Sequence, residues 1–137
     1  MQIERKIKDL SVGMEATLSK VITENDVITF SELTGDTNPV HLDEAYASKT
    51  RFKKRIAHGM LSASFFSALF ATRLPGPGAI YIRQNLVFKY PVYLGDNVES
   101  KISITSINKE SNRVVFSTQC HVGTRLVVDG EAEIMLP

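Results

Sequence analysis

Residues 60–74 read MLSASFFSALFATRL. Apart from Arg73, every position in this run is apolar or small, so a helix built from it has no charged face. A helix that is apolar all round is normally buried on every side. In a chain of only 137 residues, one structure that can surround a helix is a curved sheet. The PGPG of residues 75–78 then breaks the chain sharply. From Ala79 onward the pattern changes to strands: IYIRQNLVFKY, NVESKISITSIN, RVVFSTQCHVG and TRLVVDGEAEIML. The intervening PVYLGD, KESN and VGT suit the turns of a meander.

On the N-terminal side, MEATLSKVI (residues 14–22) alternates as a strand does. Thr23 is a helix N-cap, with Glu24 and Asp26 in the first turn, where acids complement the helix dipole. Val27, Ile28, Phe30 and Leu33 follow at mixed helical spacing, and Gly35 is the C-terminal stop. GDTNPVH is therefore expected to be a loop, with Pro39 biasing Asn38 toward extended backbone. DEAYASKT gives one or two helical turns starting near Asp43, and RFKKRIAHG is a basic loop leading into the apolar helix. There is no repeat, linker or low-complexity tract. The expectation is one α+β domain over residues 1–137, an antiparallel sheet wrapped around one long apolar helix.

Composition excludes several classes. Sixteen basic residues nearly balance fifteen acidic ones, which argues against broad electrostatic capture of nucleic acid. The single cysteine, Cys120, permits no internal disulfide and suits a reducing compartment. The opening MQIERKIKDLSVG lacks a long apolar run and carries Glu4 and Asp9, so neither a secretory signal nor a transit peptide is expected. No segment approaches the roughly 20 apolar residues of a membrane span. The expected setting is the cytoplasm, or the mitochondrial matrix if the protein is eukaryotic.

Two polar stretches border the apolar helix. The first, SELTGDTNPVHLD (residues 31–43), puts an acid and an imidazole close together. Adding water to a polarised double bond requires one proton taken from water and one delivered to carbon. Two titratable groups of different type, held about one water apart, can share that work, and Asp36 with His41 is such a pair. Plain turn chemistry also fits: Asp36 in an Asx-turn, His41 beginning a helix, and Asn38 shaping the turn. By spacing alone, so short and common a pattern favours the turn reading. The second stretch is His58-Gly59. A glycine at a helix N-terminus leaves open backbone N–H groups, an oxyanion hole for a thioester carbonyl, although a tight turn would also require a residue without Cβ. Five cations in KTRFKKR (residues 49–55) suit either phosphates on a carrier or a solvated loop. There is no G-x-S-x-G elbow, Walker loop, dinucleotide fingerprint or metal-ligand spacing.

With these pieces in order, the chain resembles the MaoC-like (R)-specific enoyl-CoA hydratases of the hot-dog fold. The resemblance rests on FSELTGDTNPVHLD, AHGMLSASFFSALF, LPGPGAIYIRQNLVFKYPVYLGD and the closing DGEAEIMLP, and runs from about residue 12 to 137. The order D-x-N-P-x-H, then H-G-M, then F-x-x-P-V-x-x-G-D is specific, and it favours the chemical reading of the first stretch. The pattern is also similar to 3-hydroxyacyl-thioester dehydratases that act on acyl carrier protein.

The resemblance implies a homodimer whose strands form one continuous sheet, with the active site near the interface and the acyl chain along the buried helix. It makes Asp36 and His41 the catalytic pair, supported by Asn38, with the Gly59 N–H on the thioester oxygen. It offers Ser67, Phe70 and Ile134 as walls of the acyl pocket, where a bulky Phe70 implies short acyl chains. Lys53, Lys54 and Arg55 stand where relatives are less charged and are candidate contacts to carrier phosphates. No metal or redox cofactor is implied, since the CoA or phosphopantetheine thioester is part of the substrate. The implied reaction is reversible syn hydration of trans-2-enoyl-CoA to (R)-3-hydroxyacyl-CoA, a step of fatty-acid or polyhydroxyalkanoate metabolism. Three alternatives stand beside it: a dehydratase working on acyl carrier protein, a hot-dog thioesterase, and a non-catalytic acyl-CoA-binding module. The absence of an acid between residues 60 and 74 argues against the thioesterase.

Overall fold

The computed structural model describes residues 2–137. Strand β1 (Glu15–Val21) leads into helix α1 (Glu24–Thr34) and two short helices, α2 (Pro39–Leu42) and α3 (Glu44–Ser48). The long helix α4 (Gly59–Thr72) follows, then β2 (Ile80–Phe88), β3 (Asn97–Asn108), β4 (Arg113–Val122) and β5 (Arg125–Met135). All five strands form one antiparallel sheet in the order β1-β3-β4-β5-β2. This is the hot-dog arrangement, a sheet packed on a central helix.

Periodicity explains the packing. On β3, Val98, Ser100, Ile102 and Ile104 alternate inward, and on β4 Val114, Phe116, Thr118 and Cys120 do the same. They form the core with Leu61, Ala63, Phe66, Leu69 and Phe70 of α4. Full burial of side chains such as Phe66 and Leu69 stabilises by about 1.5–3 kcal/mol each. Burial also pushes the Cys120 thiol up to about 11, which makes it a packing residue and not a nucleophile.

Three expectations change. First, α4 is not buried all round: Met60, Ser64, Ser67, Ala68, Ala71 and Thr72 face outward, and the sheet covers only the side carrying the large residues. Second, PVYLGD is not a meander turn. It links the edge strand β2 to β3 on the far side of the sheet, because β5 takes the place beside β2. Third, GDTNPVH is not all loop. Asn38 is indeed extended (φ −53°, ψ 123°), but its Oδ1 accepts from Val40 N and Pro39 opens α2, so His41 lies on a helical turn.

The caps of α1 match expectation. Thr23 and Asp26 form a reciprocal capping box, and Lys20 pairs with Asp26 at 2.9 Å. Those partners hold the Asp26 carboxyl below the usual range, led by the Thr23 backbone N–H. Gly35 ends the helix at φ +80°, where a Cβ is disfavoured. That left-handed residue turns the chain so that Asp36 leaves the helix toward α2 and α4.

Candidate active site

Asp36 follows the cap of α1. Its Oδ1 accepts from Asn38 N at 3.2 Å, so the Asx-turn is real. His41 is buried on α2, and its Nδ1 lies 2.7 Å from the Ile56 carbonyl. A carbonyl accepts, so the ring nitrogen there carries the hydrogen, and in the neutral ring Nε2 keeps the lone pair. Arg55 Nε donates to the His41 carbonyl at 2.8 Å while its Nη1 pairs with Glu24 at 2.9 Å, tying α2 to α1.

His58, at the N-cap of α4, completes the group. It is 2 % exposed, and its Nε2 lies 3.0 Å from Ser31 Oγ and 3.2 Å from the Asp36 carbonyl. Its ring stacks on His41 with centroids 3.9 Å apart, and Phe30 packs against it at 4.9 Å. Burial lowers its pKa, and the positive potential of His41 adds to that; the Asp36 backbone hydrogen bond and carboxylate oppose it. One donor atom each from Asp36, His41 and His58 lies within 4.8 Å of the others. Such an N, N, O set can transfer protons, and its chemistry is also that of a divalent-metal donor set.

These residues sit at the end of a cleft of about 350 Å³. Gly59 begins α4 there, where the first N–H groups of a helix have no partner within it. The steric reading of this glycine is visible in the packing. A Cβ would lie 2.6 Å from Phe88 Cδ1, so the close approach of β2 requires its absence. Phe52, Phe88, Tyr90 and Val92 supply apolar walls, and Arg51 and Lys89 are the cations of the lining.

The structure therefore brings Asp36, His41 and Gly59 together. Asn38 stays beside them as the cap of α2: its side chain accepts from the Val40 N–H, and its own backbone N–H donates to the Asp36 carboxylate. Ser67, Phe70 and Ile134 do not line this cleft. Ser67 faces outward on α4; Phe70 packs edge-on against Phe116 and Tyr81; Ile134 is fully buried on β5. The cleft geometry thus does not carry the chain-length expectation built on Phe70. Lys53, Lys54 and Arg55 do not line it either. Lys54 lies over the Tyr93 ring at 4.9 Å, and Arg55 is already committed to Glu24 and His41. Sequence reasoning missed the His58 side chain, although the H-G pair at the start of α4 was its signal. It also passed over Lys89, which shares the F-K-Y-P-V segment with Phe88.

The sheet-wrapped helix with an acid–imidazole turn at its N-terminus defines a class, and comparison with known proteins agrees. A MaoC-like domain matches residues 9–128, and the chain belongs to that family. It is 50% identical over 130 residues to an (R)-specific enoyl-CoA hydratase of Rhodospirillum rubrum, covering 95% of this chain and 90% of that one. It is 47% identical to a 3-hydroxybutyryl-CoA dehydratase of Methylorubrum extorquens, covering 95% and 83% of the two chains. Among solved structures, it is similar to the (R)-hydratase of Aeromonas caviae involved in PHA biosynthesis. The TM-score is 0.92 and the identity 42%, over 95% of this chain and 99% of that one. Among the described residues no helix is long and apolar enough to cross a membrane.

Proposed function

We propose that this chain is an (R)-specific enoyl-CoA hydratase, a hydro-lyase that adds water reversibly to trans-2-enoyl-CoA and yields (R)-3-hydroxyacyl-CoA. The observation that carries the reading is the pairing of Asp36 with His41 beside the N-terminus of α4 in one cleft. The high identity to proteins described as acting on CoA thioesters supports the substrate class.

Asp36 and the Nε2 lone pair of His41 offer two acceptors to one water. As the water oxygen attacks C3, the pair takes a proton and charge moves to the thioester oxygen. The N–H groups at Gly59 stabilise that enolate-like oxygen; one such donor is worth about 100- to 1,000-fold in rate. The pair then returns a proton to C2. Because removal and return occur from one side of the double bond, addition is syn. Thioester polarisation supplies the activation. Asn38 acts indirectly, by fixing the turn between the two groups.

Arg51 and Lys89 take the role first expected of Lys53, Lys54 and Arg55 and meet the phosphates of CoA. The edge strand β2, with exposed Ile80, Tyr81, Ile82, Val87 and Phe88, meets the same strand of a second copy, giving a homodimer. The proposed setting is the cytoplasm, where acyl-CoA is supplied.

The test is crotonyl-CoA hydration with chiral analysis of the product, for wild type, Asp36→Asn and His41→Ala. Wild type hydrates and yields the (R)-product, and each variant falls by about 100- to 10,000-fold while folded. An inactive wild type, or a folded variant with full activity, sinks the reading. Parallel assays with an enoyl-acyl-carrier-protein decide the carrier.

A further inference from the structure

We propose that His58, with Ser31, is a positioning residue that sets both members of the Asp36–His41 pair, an inference that rests on the hydration reading above. Its ring is the junction of three separate segments. It stands at the start of α4, touches Ser31 on the last turns of α1 at 3.0 Å, reaches the Asp36 carbonyl at 3.2 Å, and stacks on the α2 residue His41 at 3.9 Å. Both His58 and Ser31 are 2 % exposed, so water does not compete for these contacts.

The tautomer follows from the partners. The Asp36 carbonyl can only accept, so Nε2 carries the hydrogen and Ser31 Oγ accepts from the same N–H. Nδ1, which has no protein partner among the described residues, keeps the lone pair. Burial holds the ring neutral, which preserves this pattern.

Each catalytic group lacks something that His58 supplies. Asp36 is exposed, and its other backbone and side-chain ties, to Thr34 and Asn38, lie within its own turn. Among the described residues, only the His58 N–H ties that turn to α4. For His41, the Ile56 carbonyl fixes one ring atom, but a ring held at one atom can still swivel about it. The flat face of His58 sets the plane of the ring and thus the direction of the Nε2 lone pair. Reacting groups displaced by about 1 Å can lose roughly 100-fold in rate, so the effect falls on turnover and not on substrate binding.

The experiment compares wild type with His58→Phe, His58→Gln and Ser31→Ala. Phe keeps a flat face without the donor; Gln keeps a donor at the same reach without the ring. Steady-state crotonyl-CoA kinetics are read together with the ¹⁵N shifts of the His41 ring. Expected for His58→Phe, which loses the tie to Asp36 but keeps the face against His41, is a kcat about 100-fold lower, with KM within about threefold and His41 shifts near those of wild type, whereas His58→Gln moves the His41 shifts. Expected for His58→Gln is partial recovery of kcat, and for Ser31→Ala a fall of about three- to tenfold, both with folded spectra. Wild-type kcat and unchanged His41 shifts in His58→Gln and Ser31→Ala overturn the proposal, whether or not His58→Phe folds. A rise in KM alone also overturns it. If wild type shows no hydration, the functional reading fails by that result, and the His41 shifts alone still decide whether His58 positions the ring.

Discussion

The rings of His58 and His41 lie with 3.9 Å between centroids and their planes tilted by 30°, and the Asp36 carbonyl is 3.2 Å from His58 Nε2. Burial disfavours a charge on His58 first of all, and a charge on His41 at that separation would repel it, while the Asp36 hydrogen bond and carboxylate act the other way. His58 therefore titrates below its ordinary value of 6.5. The groups that face it are Asp36 and His41. Below 6.5 the unfolded chain binds a proton at this site that the folded chain does not, so stability falls as pH drops until the folded pKa is passed. The slope from one such group is at most about 1.4 kcal/mol per pH unit. Urea unfolding midpoints for wild type and His58→Gln, measured between pH 7 and 5, should converge as pH falls, because the variant lacks this term. Parallel pH curves would refute the assignment.

Gly59→Ala should damage both stability and turnover. Its Cβ would meet Phe88 at 2.6 Å, and overpacking of this kind costs about 1–3 kcal/mol. Truncating the obstruction in Gly59→Ala/Phe88→Ala should give a loss smaller than the sum of the two single losses. Thermal melts and crotonyl-CoA kinetics on the three variants give the coupling directly; additive losses would contradict the steric account.

Arg51→Glu and Lys89→Glu should raise KM for crotonyl-CoA about tenfold each with little change in kcat, since a charge-assisted contact to phosphate is worth about 1.5–3 kcal/mol. Both side chains line the cleft and are exposed, so folding is unaffected. A short pantetheine thioester without the nucleotide should show no such change. Lys53→Glu, which lies off the cleft, is the control.

Val87→Lys should convert a dimer into a monomer. Val87 is 57 % exposed on the edge strand β2, whose outer side has no strand beside it among the described residues, and a charge there blocks edge-to-edge association. Sedimentation equilibrium on wild type and variant reads the mass directly. A monomeric wild type, or an unchanged dimer in the variant, would show that β2 is not the contact.

Much of this molecule is local, and local features are readable in a linear string. Thr23, Gly35 and the alternation of β3 and β4 act over a few residues, through caps and side-chain periodicity, and the chain alone determined them. The Asp36–Asn38–His41 turn is equally short, which is why its residues stood out before any fold was known. The strand order was not readable. Antiparallel pairing of β5 with both β4 and β2 depends on which strands bury their apolar faces together, not on their succession. Nor was it visible that α4 would leave Ser67 outside and bury Phe70 far from the cleft, since a run without charge hides which side meets the sheet. Ser31 and His58 are 27 residues apart, and only the approach of α1 to the start of α4 makes them partners. The sequence by itself determined most of the elements and singled out Asp36 and His41 as the candidate pair. The tertiary structure alone decided what holds that pair in register, because a hydrogen bond or a ring stack needs atoms within a few ångströms, and distant segments come that close only through packing.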